Sequence, residues 1–272
     1  MESNRILLNY PTLQYSHSES AIPNTERFEV HCHGTYELIY ILQGEGKHVI
    51  EGIEYPLHAH TLFLMRPYEY HYICPDRNRA YERVVLYFDD ASLPASVKDS
   101  PLLAENGGRC FSIGSPGNPI RAAFDALSGI AALSQNGTAC TPESEALLRA
   151  TIAQIVLLLT KEEPRTPLSD ESGVVHRVID YLNDHLYEDI CLDTVAKEFF
   201  ISKYHLCRIF HKQTGASMFH YFATKRVALA RQMIADGENA TNVAIRLGFR
   251  DYSTFYRAYR KQTGESPVRK LK

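Results

Sequence analysis

Apolar residues come in short bursts between Phe28 and Phe88. Tyr36–Leu42, Lys47–Ile50, Thr61–Met65 and Tyr81–Phe88 are separated by Gly44-Glu45-Gly46, Glu51-Gly52 and Pro67. β-rich runs punctuated by Gly and Pro at roughly 8–12-residue spacing predict an all-β sandwich or barrel. Residues 1–27 are polar, with Pro11 and Pro23, and predict an arm and a first strand or two. The stretch from Asp89 to Pro119 reads as irregular connection. Beyond it the period changes to three and four: Ile120, Phe124, Leu127 and Ile130 predict a helix over 119–134, and Leu147, Ile152, Ile155, Val156 and Leu159 predict another over 143–159. Thr141-Pro142 offers an N-cap followed by a proline at the first helical position. Two readings of these stripes stay open: core packed on the sheet, or a dimer interface built from the part left exposed.

Residues 161–172 carry two prolines and a run of charged side chains and cannot pack a core, so they predict a linker. The domains expected are 1–160 and 173–272. In the second, Val175, Val178, Ile179 and Leu182 predict an amphipathic helix. A self-similar segment follows. Val195-Ala196 opens a stretch closed by Gln213-Thr214-Gly215, and Val243-Ala244 opens one closed by Gln262-Thr263-Gly264. The openings lie 48 apart and the closings 49 apart, which puts one extra residue in the second copy, most simply in its turn. Each copy predicts a short helix, a tight turn and a second helix, a shape that enters a DNA major groove.

The first copy is expected to run as a helix over 194–200, capped by Asp193, then a turn ending at Ser202, then a helix to about Lys212. Leu206 and Phe210 are four apart and turn inward. Tyr204 and Arg208 are four apart on the outer face, where a recognition helix meets base edges. At a separation of 49, Phe255 and Tyr259 take the inward places, and Ser253 and Arg257 the outward ones. Lys203, His205, His211 and Lys212 flank the first pair; Arg250, Thr254, Arg260 and Lys261 flank the second as candidate DNA contacts. Between the copies, Tyr221, Phe222, Val227, Ala230 and Met233 predict one long helix over 218–236, which would span about 28 Å. Adjacent major-groove faces lie roughly 34–36 Å apart, so a stiff helix of that length can hold both readers on one side of DNA.

Charge sharpens this division. Residues 173–272 hold 16 Lys and Arg against 10 Asp and Glu, a net of +6; residues 1–172 hold 13 against 22, a net of −9. A polyanion therefore meets the C-terminal part. Overall composition, 44% hydrophobic and 22% charged, is that of a soluble globular chain. No apolar run approaches the roughly 18 residues of a membrane span, and Met1–Arg5 leads into no signal sequence, so a cytoplasmic protein is expected. The six cysteines form no C-x-x-C pair and read as reduced thiols.

One constellation in the β-rich half carries chemistry: His31, His33 and Glu37, spaced H-x-H-x3-E, with His71 further on. Residues two apart on a strand share a face. Three imidazoles and a carboxylate can ligate a divalent metal, or can line a metal-free pocket that hydrogen-bonds an organic ligand with Tyr40. No cofactor is expected. His48, His58 and His60 are expected at the surface or at strand edges.

Ala196, Ser202, Leu206, Arg208, Phe210 and Gly215, together with Ala244, Gly248-Phe249, Phe255, Arg257, Tyr259, Gly264 and Pro267, closely resemble the AraC family of bacterial transcription regulators over about 174–267. His31, His33, Glu37 and Pro67–His71 resemble the motifs of the cupin superfamily and of that family's sensor domain. Met218, Ala240 and Tyr256 depart from the family's usual residues. The resemblance implies an α+β two-domain protein: a cupin-like barrel with two packing helices, then an all-α domain with two helix-turn-helix units. It further implies a homodimer, control by a small molecule such as a sugar, binding to double-stranded DNA, and activation through RNA polymerase. The rival expectation is a metal-dependent cupin enzyme with a DNA-binding tail.

Overall fold

A computed structural model describes residues 3–23, 30–104, 107–134, 141–168 and 173–268. The last four residues of the expected linker, 169–172, lie outside them. The chain divides into two compact units: most of the residues up to Leu168 form the first, and the residues after it form the second together with Val30–Gly34 and Glu51–Ile53.

The first unit is built from β1 (Ser3–Tyr10), β2 (Leu13–Ser20), β3 (Tyr36–Gln43), β4 (Gly46–Ile50), β5 (Ile53–Leu57), β6 (Thr61–Met65), β7 (His71–Pro75), β8 (Tyr81–Phe88), α1 (Ala95–Lys98), β9 (Cys110–Ser112), α2 (Pro119–Ser134) and α3 (Pro142–Leu159). One sheet has the order β1-β2-β8-β3-β6-β9, the other β5-β4-β7. Alternation along β3 decides which side chain goes where. Leu38 pairs with Leu64 and Leu86, and with Tyr40, Val84 and Phe88 they form one face. That face is buried under Ile120, Phe124 and Leu127 of α2 and Leu148, Ile152 and Val156 of α3. Each such side chain contributes about 1.5–3 kcal/mol when removed from water. The opposite face presents Glu37, which pairs in register with Met65 and Tyr87, toward the second sheet.

The expected starts of α2 and α3 hold. Thr141 caps α3, its hydroxyl accepting from the Ser144 amide, while the Ser144 hydroxyl accepts from the Thr141 amide. Three strands escaped the sequence pattern: β5, β7 and β9 are short, and β5 and β7 contain Pro56 and Pro75. A proline fits in β5 because β5 is an edge strand of its sheet.

The second unit holds α4 (Val174–Asp184), α5 (Leu192–Glu198), α6 (Lys203–Thr214), α7 (Met218–Ala235), α8 (Ala240–Arg246) and α9 (Tyr252–Thr263). One local expectation fails. α5 begins at Leu192, so Asp193 is an acid of its first turn rather than its N-cap; that place falls to Cys191. The Asp193 carboxylate instead reaches Lys203 at 2.7 Å. α7 matches the long helix expected, 18 residues or about 27 Å.

Candidate nucleic-acid interface and effector site

The two helix-turn-helix units are built by the same local chemistry. In the first, the Phe200 amide donates to the Lys197 carbonyl and the Ile201 amide to Ala196. In the second, Gly248 donates to Ile245 and Phe249 to Ala244. These pairs keep the separation of 48. The N-caps do not: Ser202, accepting from the His205 amide, corresponds to Asp251, accepting from the Thr254 amide, 49 residues on. The extra residue anticipated in the second turn is therefore Arg250, which is exposed. Both reading helices close on a left-handed glycine, Gly215 and Gly264, whose amides bond His211 and Arg260 carbonyls.

Leu206 and Phe210 of α6, and Phe255 and Tyr259 of α9, are buried. That turns the other face of each helix outward. Lys203, Tyr204, His205, Arg208, His211 and Lys212 are exposed on α6; Arg250, Ser253, Thr254, Arg257, Arg260 and Lys261 are exposed in and around α9. Tyr204 is 80% exposed, unusual for a large aromatic ring with no role outside the fold. Some of these side chains are already held. Lys203 pairs with Asp193, Thr254 with the capping Asp251, and an Arg208 Nη lies 3.2 Å from His205 Nδ1. A helix face carrying Tyr and Arg one turn apart can hydrogen-bond base edges and pack on a thymine methyl.

In the first unit, His71 Nε2 lies 2.9 Å from a Glu37 carboxylate oxygen, with both side chains almost fully buried. His71 Nδ1 donates to the Glu69 carbonyl at 2.8 Å. Burial disfavours the imidazolium, yet the Glu37 hydrogen bond and charge outweigh it and raise the pKa above the ordinary histidine value. His48, expected at the surface, is fully buried, edge-on to Phe63 at 4.6 Å and 5.9 Å from the His71 ring. β4 pairs with β7, which turns His48 inward beside Ile73 rather than to an edge. Glu37 and His71 lie in the first unit, whereas Val30–Gly34, with His31 and His33, cluster with the second; three imidazoles and a carboxylate have the chemistry to ligate a divalent cation. Tyr40 does not join Glu37 and His71. It sits on the opposite face of β3, its ring 4.7 Å from Phe124 and its hydroxyl 2.9 Å from His60 Nδ1.

Two side chains near Glu37 were not singled out from the sequence. Burial and the charge of Glu37 raise the pKa of the Tyr87 hydroxyl. Arg83, four residues earlier on the same face, donates to the Ser18 hydroxyl at 3.3 Å. The signal was available: once Val84, Leu86 and Phe88 are assigned to one face of β8, residues 83 and 87 must share the other with Glu37.

Residues 195–272 match the family described as a helix-turn-helix domain, and residues 18–152 the family described as an AraC-like ligand binding domain. Among characterised relatives, the HTH-type transcriptional activator RhaS of Salmonella heidelberg is 23% identical over 241 residues, covering 88% of this chain and 86% of the relative. RhaS of Citrobacter koseri is 24% identical over 242 residues, with the same coverage. Among solved structures, ToxT from Vibrio cholerae aligns with a TM-score of 0.37 and 11% identity, over 95% of this chain and 96% of that one. Both matched families describe regulator domains, so the rival reading of a metal-dependent enzyme gains no support from them. No helix among the described residues is long and apolar enough to cross a membrane.

Proposed function

Because this chain belongs to the AraC family of transcription regulators, we propose that it is a ligand-responsive transcription activator that reads two adjacent major grooves and answers to a small polar metabolite such as a sugar. The observation that carries the DNA side is the duplicated reading helix, with twelve candidate contacts all exposed on α6 and in and around α9. Relatives described as transcriptional activators support the sign of regulation. His31, His33, Glu37 and His71 are assigned to the effector, with Arg83 and Tyr87 beside Glu37. Tyr40 is withdrawn from that set on its position.

The protein works in the cytoplasm as a homodimer and recruits RNA polymerase, without catalysing a reaction of its own. Leu147 and Leu157, each more than half exposed on α3, support a contact between copies there. Thermal-shift screening against a metabolite panel, followed by footprinting on DNA selected by the protein itself, tests the reading. A stabilising metabolite that changes the footprint supports it; a footprint indifferent to every stabilising compound defeats the effector half. The donor chemistry of three imidazoles and a carboxylate supports one variation, in which a divalent ion takes part in holding the effector. Metal content measured on wild type and His33→Ala decides between the two.

A further inference from the structure

The buried stripe of α7 contains one residue that a hydrophobic stripe should not hold. Phe222, Arg226 and Ala230 follow one another at intervals of four, and Arg226 is 7% exposed. A guanidinium in a helix core must be solvated by the protein. Here three main-chain carbonyls accept from it. Nε donates to Leu186 at 2.9 Å, one Nη to Gly248 at 3.2 Å, and the other Nη to Glu188. The Phe222 ring lies 4.1 Å from the guanidinium carbon, and the Phe249 ring 5.9 Å.

The origin of those carbonyls matters. Leu186 and Glu188 belong to the connection that leads from α4 into α5, the entry to the first helix-turn-helix unit. Gly248 is the turn residue of the second. A Cβ on Gly248 would stand 2.9 Å from the Arg226 Nη2 atom, so the second turn lies directly against the fork. Arg226 thus ties the backbone of one unit to the backbone of the other from the middle of the helix that separates them. The planar guanidinium offers five donors in fixed directions and can serve carbonyls on different sides at once. A lysine offers one centre and cannot span them. The apolar core of the second helix-turn-helix, which includes Val227, Val243, Ala244, Leu247, Phe255 and Tyr259, does not include Arg226.

We infer that Arg226 is a positioning residue for DNA recognition: it fixes the second reading helix relative to the first and so sets the half-site spacing that one chain accepts. The inference rests on the two-groove reading proposed above. Arg226 touches no base. Its effect reaches DNA only through the angle and distance between α6 and α9.

The test uses the full-length protein and a duplex selected by the wild type from a random library. Derivatives carry one to five base pairs inserted between the half-sites, or keep one half-site alone. Wild type should lose about tenfold or more in affinity on a single inserted pair. Arg226→Gln should bind the selected duplex about tenfold more weakly, bind the single half-site within about twofold of wild type, and show a flattened penalty across the spacing series. Arg226→Lys should lie between them. An equal loss on the single half-site, or a spacing profile as steep as wild type's, overturns the role of Arg226. A wild-type profile that is flat overturns the two-groove reading itself, which separates the two failures. If Arg226→Gln does not fold by circular dichroism, Arg226→Lys carries the comparison; if neither folds, Arg226 is a folding determinant and the inference falls.

Discussion

Phe200 and Gly248 occupy the same place in the two turns, and both adopt left-handed backbone, with φ of 54° and 66°. Only one of them is a glycine. An L-residue in this region costs about 1–2 kcal/mol, and Phe200 recovers nothing by burial, since it is 95% exposed. Phe200→Gly should therefore relieve strain, offset in part by about 0.5–1 kcal/mol of added freedom in the unfolded chain. The expected net effect on the helical unit is a gain of about 0–1 kcal/mol in urea unfolding. The reverse change, Gly248→Ala, should cost about 1–2 kcal/mol, because it adds strain and crowds Arg226. Destabilisation by Phe200→Gly would show that the aromatic ring has a stabilising contact after all.

Arg257 stands in the place of Arg208, on the outward face of the second reading helix, and is exposed. A bidentate arginine on guanine is worth roughly 1–3 kcal/mol of discrimination. Arg257→Ala should lower affinity by that amount on the selected duplex and relax preference at one base pair, read by binding to single-base variants. If every sequence weakens equally and only the salt slope shifts, Arg257 contacts a phosphate instead.

The thiols should separate by reactivity. Burial pushes the Cys110 thiol up to about 12, so almost no thiolate forms at neutral pH. Cys191 is exposed, and hydrogen bonds from the Thr194 side chain and backbone hold its pKa below the usual value. Its Sγ lies 3.1 Å from the Thr194 hydroxyl. Iodoacetamide at about pH 7.5, followed by peptide mass spectrometry, should label Cys191 early and Cys110 only on unfolding. Thr194→Ala should slow the Cys191 reaction. Labelling of Cys110 in the folded protein at the rate of Cys191 would contradict the packing around β9.

Much of the helical unit could be read from the chain because helix signals are local. Ser202 caps where a serine before an apolar period should, and the 48-to-49 step located an inserted residue that the turn identifies as Arg250. Sheet signals are less local. β7 holds only five residues, and its His71 matters because a strand far away in sequence brings Glu37 to it. Tyr40 was legible and misassigned: it lies three residues from Glu37 in one strand run, so alternation alone places the two on opposite faces of β3. Arg226 was hidden for a different reason. A charge within an apolar stripe reads as a residue at the solvent boundary unless the carbonyls that solvate it are known.

The two N-caps differ in one respect that acid should expose. Ser202 cannot titrate, whereas Asp251 can. Hydrogen bonds from the Thr254 amide and hydroxyl hold the Asp251 carboxyl below its ordinary value. A carboxyl whose pKa is depressed by folding contributes stability that is present above its unfolded value and lost as pH falls through the folded one. The start of α9 should therefore loosen below about pH 4, near the unfolded aspartate pKa, while the start of α6 keeps its cap. Asp251→Asn preserves an N-cap acceptor and removes the titration. Amide hydrogen exchange measured from about pH 6 down to about pH 3, corrected for intrinsic rates, should show falling protection at Thr254 in the wild type and none of that fall in Asp251→Asn. A parallel fall at His205, capped by Ser202, would mean that the whole unit is opening and that the Asp251 cap is not the acid-sensitive element.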